Sequence, residues 1–275
     1  MYLGIINGWN EDGFKDVRSY GLDWVEFCVN YYNDSEELLR DIDKIKGYSE
    51  KYGVKVGSIG RWGETRIKED GTIDEDKLRH DLNLIEAAGM LGCPVYNCGC
   101  NYTKSKTYKE NCEIAIDYFK KLLEKGRECG VKIAVYNCDW GNFVFNEKAW
   151  SIIMPELPEL GIKYDTSHCL GRAGNYMKEM RDWGHRIYHF HLKGSIYIDG
   201  QHYDDPPMGL DQVNWGAVMD LLYTKNYNSM LSIEPHSSYW NGNKGQWGIE
   251  FSINYIKPFI MPESYQKSEK SPYMP

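Results

Sequence analysis

The chain has 275 residues, of which 42% are hydrophobic and 26% are charged. These proportions are typical of folded globular chains and exclude a disordered or fibrous protein. Lys and Arg number 32 against 40 Asp and Glu, which gives a net charge of −8. Because such a charge repels phosphate backbones and anionic membrane surfaces, we expect neither nucleic acid nor a membrane as a partner.

The N-terminal segment and the cysteines indicate where in the cell the protein is located. Residues 1–9 lack the basic region and apolar stretch of a signal peptide, and no segment has 18 consecutive uncharged apolar residues. We therefore expect a cytoplasmic protein. The eight cysteines have no CxxC spacing, which favours reduced thiols. Cys98 and Cys100 could form a redox or metal pair, but thiols packed inside the fold are the better interpretation.

Short runs of β-branched and aromatic residues alternate with longer segments of helical period. In chain order, strands are predicted at residues 2–6, 24–28, 55–59, 95–98, 132–137, 162–165, 187–191 and 230–234. Helices are predicted at residues 35–52 with Ser35 as N-cap, at 74–91 and 108–129, from about Asn146 and Asn175, and at 214–225 and 248–260.

Eight strand-then-helix units predict parallel strands joined by helical crossovers. The expected fold is therefore an α/β protein with a closed (β/α)8 TIM barrel. An open doubly wound sheet is the alternative, but residues 7–13 do not match the GxGxxG phosphate loop that such a sheet carries after its first strand. We expect one barrel domain over residues 1–262 and a polar tail over residues 263–275.

Polar residues end three consecutive predicted strands. Asp165 ends the sixth strand, His191 the seventh and Glu234 the eighth. The carboxyl ends of barrel strands build the active site, so these side chains could converge on one divalent cation. The alternative is that His189 and His191 are satisfied core histidines, while the two acids cap helices or pair with Lys193.

The sequence at these positions resembles the sugar phosphate isomerase and epimerase family of xylose-isomerase-like TIM barrels, which is related to the family 2 AP endonucleases. The resemblance rests on four motifs that occur in the expected order: YDTSH at residues 164–168, HFHLKG at 189–194, PMGLDQVNW at 207–215 and LSIE at 231–234. It implies a Mn²⁺, Mg²⁺ or Co²⁺ ion, with zinc also compatible. Asp165, His191 and Glu234 match three of the four family ligands.

The fourth ligand of the family is a glutamate on strand five, where this chain has Tyr136. Asn137 or Asp139 could reach the ion instead. Glu234 would then be the base, and Tyr136, Asp139 or water would supply the proton on the opposite face. His168 would be a donor to a substrate oxygen or to a leaving group, or alternatively a contact that only supports the site.

Aromatic side chains follow several predicted strands at the same end of the barrel. Trp9, Trp62, Trp140 and Trp240 come after strands one, three, five and eight. Such rings stack on the C–H faces of sugars, so Trp9, Trp62 and Trp240 are candidate substrate contacts together with Asn137 and Lys193. Equally, the tryptophans could form a hydrophobic plug or a subunit contact in a homo-oligomer.

Together, these features predict a metal-dependent isomerase or epimerase that acts on a small-molecule carbohydrate or keto-sugar through an enediolate. A lyase or dehydratase acting on an oxidised sugar or glycoside is the first alternative, because elimination needs only one base beside the metal. The second alternative is a non-catalytic sugar-binding subunit that has lost the strand-five glutamate.

Overall fold

The structure is a computed structural model that describes residues 1–266. Its strands are β1 (Tyr2–Ile6), β2 (Trp24–Cys28), β3 (Lys55–Arg61), β4 (Val95–Cys98), β5 (Lys132–Tyr136), β6 (Gly161–Asp165), β7 (Ile187–Leu192), β8 (Ile196–Ile198), β9 (Gln201–Asp204) and β10 (Met230–Ile233). Strands β1 to β7 and β10 close into a barrel in which all neighbours are parallel. The predicted (β/α)8 TIM barrel is confirmed.

Helices surround the barrel and cover its outer face. They are α1 (Glu11–Ser19), α2 (Ser35–Arg40), α3 (Ile42–Tyr52), α4 (Glu75–Met90), α5 (Tyr108–Cys129), α6 (Glu147–Ile153), α7 (Thr166–Gly171), α8 (Tyr176–Trp183), α9 (Trp215–Thr224), α10 (Gly242–Ile256) and α11 (Glu263–Gln266). Two 3₁₀ turns complete the described part, Gly184–Arg186 and Lys257–Phe259. No helix within residues 1–266 is long and apolar enough to span a membrane.

The segment predicted as one helix over residues 35–52 is two helices. The chain leaves helical geometry at Asp41, with φ −96° and ψ 6°, which ends α2 and begins α3. Leu38, Ile42 and Ile45 are all buried, so the apolar face is continuous across the break. The predicted cap Ser35 was also wrong, because the side chain of Asp34 accepts the hydrogen bond from the Glu36 N–H at 2.9 Å.

Four short elements, α1, α7, β8 and β9, were not predicted from the sequence. Helix α1 has only two large buried apolar residues, Phe14 and Val17, which give no clear period, and α7 is only six residues long. Strands β8 and β9 form an antiparallel hairpin after β7. Its turn is Asp199-Gly200, with φ values of 51° and 77°, and Asp-Gly is a typical sequence for such a two-residue turn.

The cysteines and the C-terminal segment were also predicted from the sequence, as reduced thiols and as a polar tail. All eight cysteines are free thiols, and Cys98 and Cys100 are buried. Four residues of the predicted tail form α11, while residues 267–275 lie outside the described part. The division into a domain over residues 1–262 and a tail stays a prediction.

Asp211, between β9 and α9, provides a test of stability against pH. Both oxygens of its carboxylate accept from Trp215 Nε1, at 3.0 and 3.1 Å, and burial raises the pKa of Asp211 from 3.8 to about 6. In the unfolded chain this carboxyl loses its proton near pH 4, whereas in the folded chain it keeps the proton up to about pH 6. The free energy of unfolding therefore falls as the pH rises from 4 to 6, by up to about 3 kcal/mol in total.

We expect Asp211→Asn to gain stability relative to the native chain as the pH rises from 4 to 7. Urea unfolding at each pH measures the difference between the two free energies of unfolding. Asp220→Asn, at an exposed position on α9, is the control. A difference between native chain and D211N that does not change with pH would contradict the assignment.

Candidate active site

Three neighbouring strands bring the predicted ligands together. Asp165 is the last residue of β6, His191 lies in β7, and Glu234 directly follows β10. In the ladder, His191 pairs with Asp165 on one side and with Ser232 on the other. One ligand atom from each of the three side chains lies within 4.8 Å of the other two. Residues far apart in the sequence thus form one cluster at the carboxyl end of the barrel.

The imidazole of His191 is held at both nitrogens. Its Nδ1 lies 2.7 Å from Glu234 Oε2, and its Nε2 lies 3.0 and 2.9 Å from the two oxygens of Glu26. Both neighbouring carboxylates are ionised, so His191 donates from both nitrogens as the structure stands, and their charges raise its pKa despite burial. Since Glu26 holds the Nε2–H, Nδ1 is the nitrogen that would give up its proton to a bound ion. Glu26 therefore orients His191 as a ligand.

Glu26 is the main residue of the site that the sequence analysis did not assign. It is fully buried on β2 and also lies 2.8 Å from His189 Nε2. Burial opposes its ionisation, but the two imidazoles hold the pKa of Glu26 well below its usual range. The available signal was a charged residue in the centre of an apolar strand, since such residues are rarely buried without a specific partner.

Hydrogen bonds to the backbone of Asp165 and to one of its carboxylate oxygens hold the residue in place. Asn137 Nδ2 donates to the Asp165 carbonyl at 2.8 Å, and the Asp165 N–H donates to Asn137 Oδ1 at 2.9 Å. Oδ1 of Asp165 accepts from the Ser167 N–H at 2.8 Å. The amide of Asn137 is thus engaged in positioning Asp165, which leaves it poorly placed for the predicted contact with an ion or substrate.

The second oxygen of Asp165 faces the cluster. Oδ2 is buried and accepts no hydrogen bond from a described residue, although Lys193 Nζ lies 3.3 Å away and His168 Nε2 3.4 Å away. Lys193 Nζ also lies 3.8 Å from Glu234 Oε2. Despite burial, which favours the neutral acids, Lys193 lowers the pKa of both Asp165 and Glu234. Lys193 therefore pairs with Asp165 and Glu234, which was the alternative role predicted for it from the sequence.

Tyr136, for which the resemblance implies the position of a strand-five glutamate, has a fully buried side chain. Its hydroxyl donates to the Trp140 carbonyl at 2.8 Å, and burial raises its pKa above the usual range. The ring stacks on Trp62 with centroids 5.8 Å apart, and the Trp62 ring lies 6.3 Å from that of His191. The Tyr136 ring is thus packed against Trp62, and its hydroxyl proton is held in a hydrogen bond to the Trp140 carbonyl.

The other predicted aromatic contacts are spread around the mouth of the barrel. Trp9 packs edge-on against Phe27, and Trp140 is 45% exposed. Trp240 lines a small pocket beside Glu234 and His236, with room for about one water molecule. The pocket marks an opening next to the Glu234 side of the cluster.

The cluster fits a divalent metal ion. Two carboxylates and an imidazole are a suitable mixed donor set, and the buried Oδ2 of Asp165 has no hydrogen-bond donor. Three protein ligands would leave coordination positions for a substrate. An ion held here would share Asp165 and Glu234 with the Lys193 ammonium.

Comparison with known proteins decides the family. Residues 14–255 match the model of the xylose isomerase-like TIM barrel family. The chain belongs to this family. A relative from Synechocystis sp. (strain ATCC 27184 / PCC 6803 / Kazusa), called a probable ketose 3-epimerase, is 23% identical over 237 residues, 80% of this chain and 76% of the relative.

Two solved structures illustrate the similarity within the xylose isomerase-like TIM barrels. The 3-keto-D-glucoside 4-epimerase YcjR from E. coli has 15% identity and a TM-score of 0.73, with 94% of this chain and 99% of YcjR covered. The IOLI protein with a bound zinc atom has 15% identity and a TM-score of 0.71, with 95% and 100% covered. These two likenesses show the shared barrel fold. The family match and the probable ketose 3-epimerase support an enzyme of the isomerase and epimerase kind.

Proposed function

We propose that this protein is a metal-dependent sugar isomerase or epimerase that acts on a carbohydrate or keto-sugar through an enediolate. The observation that supports the proposal most strongly is the convergence of Asp165, His191 and Glu234 at the open end of the barrel. These three residues would hold the ion. When bound, a divalent ion polarises a carbonyl and its neighbouring hydroxyl, which makes the intervening C–H more acidic.

Glu234 is the proposed base. Its side chain is 20% exposed at the edge of the pocket, whereas Asp165 is fully buried. Lys193 and His191 keep Glu234 ionised, so its carboxylate can accept the proton from the carbon next to the carbonyl. Lys193 would also stabilise negative charge on a substrate oxygen.

The proposed hydrogen-bond donor to the substrate oxygen is His168 rather than Tyr136. Burial lowers the pKa of His168 to about 3, so the imidazole is neutral and has one N–H to donate. The Tyr136 hydroxyl is already bound to the Trp140 carbonyl. We therefore assign Tyr136, with Trp62, to an aromatic wall of the site.

The remaining parts of the function stay predictions. Trp9, Trp62 and Trp240 would contact the sugar ring, because aromatic faces suit its C–H groups. Mn²⁺, Mg²⁺ and Co²⁺ are the expected ions, and zinc is also compatible with two carboxylates and an imidazole. A cytoplasmic location and assembly into a homo-oligomer likewise stay predictions.

Exchange of a substrate C–H hydrogen with deuterium from the solvent tests the proposed enediolate. We expect the Mn²⁺-loaded protein, incubated with D-fructose or a 3-keto-glucoside in D₂O, to place deuterium on a carbon next to the carbonyl and to form an epimer or isomer. NMR of the products and metal analysis of the protein provide the measurements. An unsaturated product or released aglycone would instead indicate the lyase. Absence of both bound metal and exchange would support the binding subunit.

A further inference from the structure

A second buried lysine lies among the residues of the site. Lys163 is two residues before Asp165 on β6, so both side chains point into the barrel. In the ladder it pairs with Tyr136 on β5 and His189 on β7, one layer below Asp165 and His191. Its exposed fraction is 1%. Its position is therefore the floor of the cluster, beside the tyrosine that replaces the family glutamate.

Lys163 forms no direct ion pair or hydrogen bond with any residue of 1–266. Its Nζ lies 5.8 Å from the centroid of the Trp62 ring, and its charge acts on the Asp165 and Glu234 carboxylates only at longer range. Lys193, by contrast, lies close to the carboxylates of Asp165 and Glu234. A buried ammonium with no hydrogen-bond partner retains part of its desolvation cost, so an incoming oxyanion in direct contact would stabilise it.

The charges of the cluster favour such an anion. Glu26, Asp165 and Glu234 provide three negative charges, and Lys163 and Lys193 provide two positive charges. With a divalent ion bound and both imidazoles neutral, these five side chains and the ion would together carry one net positive charge; Asp205, which pairs with His202 and His236, lies outside this count. A glutamate in place of Tyr136 would have cancelled it. The loaded site is therefore electrostatically suited to a substrate with one negative charge.

We propose that Lys163 binds a carboxylate of the substrate next to the reacting carbonyl, so that the preferred substrates are keto acids of sugars rather than neutral sugars. The inference rests on the proposed function for the position of the reacting carbon. A carboxylate suits the site better than a phosphate because a single buried ammonium is the only unpaired cation at the floor among the described residues.

Two ligands that differ in one group test the proposal. D-Fructose and 2-keto-D-gluconate have the same configuration and a ketone at the same carbon, but the second carries a carboxylate where the first carries CH₂OH. We expect the Mn²⁺-loaded native protein to bind 2-keto-D-gluconate at least about tenfold more tightly in calorimetry. A charge-assisted hydrogen bond contributes enough free energy for that ratio.

Lys163→Met removes the charge and keeps the length of the side chain. We expect K163M to lose at least about tenfold in affinity for 2-keto-D-gluconate, with affinity for D-fructose within about threefold of native. Lys132→Met, an exposed lysine on β5, is the control and should leave both affinities unchanged. If K163M unfolds, Lys163→Arg provides a second test, because it preserves the charge and should preserve the preference for the keto acid.

Several results would overturn the inference: equal loss of both ligands in K163M, no loss of either, binding of neither ligand to the native protein, or tighter binding of D-fructose 1-phosphate than of 2-keto-D-gluconate. A separate Mn²⁺ titration without sugar distinguishes these from failure of the proposed function. Native affinity for Mn²⁺ with no preference for the keto acid contradicts the role of Lys163 alone. Absence of Mn²⁺ binding contradicts the metal site, whatever the preference.

Discussion

Glu234→Gln is expected to reduce solvent exchange and epimer formation by about 10³-fold or more, because it removes the proposed base. It also removes one of two carboxylate ligands, so Mn²⁺ should bind much more weakly. The neutral amide cannot accept a proton from carbon, and it no longer pairs with Lys193 Nζ, which lies 3.8 Å from Glu234 Oε2 in the native chain. Deuterium incorporation and Mn²⁺ calorimetry measure the two effects separately.

A second carboxylate provides a matched control for this variant. Glu64 has a side chain that is 5% exposed, compared with 20% for Glu234, and it pairs with Arg61 and Lys77 at 2.8 and 3.4 Å. Glu64→Gln should therefore leave exchange and Mn²⁺ affinity close to native. If E234Q retains native turnover, Glu234 is not the base, and the assignment of the neighbouring ligands loses its main support.

The sequence predicted the barrel well because most of its strands are short apolar runs and most of its longer helices have a clear apolar period. The predicted and observed bounds of β1, β2 and β4 are identical. Local signals were weaker elsewhere. Asp41 interrupts a continuous apolar face, and the β8–β9 hairpin depends on a turn at Asp199 rather than on a hydrophobic pattern.

The candidate site was predictable where its residues end strands. Asp165, His191 and Glu234 stand at the positions where barrel strands carry functional groups. Glu26 and Lys163 lie within strands, so position along the chain gave no reason to connect them with the site. Their roles depend on contacts between strands, such as Glu26 with His191, which sequence spacing does not specify.

Glu26→Gln tests the contact that orients His191. The charged carboxylate accepts from Nε2 of both His189 and His191, whereas an amide offers one oxygen and one NH₂ group to the same two rings. Where the NH₂ group faces Nε2 of His191, the imidazole proton moves to Nδ1 and blocks the lone pair directed at the ion. We expect Mn²⁺ affinity to fall by about 10–100-fold, as is usual when such supporting contacts are lost.

Mn²⁺ calorimetry provides the affinity, and ¹⁵N NMR of the histidine rings reports which nitrogen carries the proton. Glu64→Gln is the matched control, since Glu64 is also buried and pairs with Arg61 at 2.8 Å. Both variants should lose some stability, but only E26Q should lose metal affinity and change the protonation pattern of His191. Native affinity in E26Q, with the proton still on Nε2, would show that His191 is oriented by the barrel alone and that Glu26 has no part in metal binding.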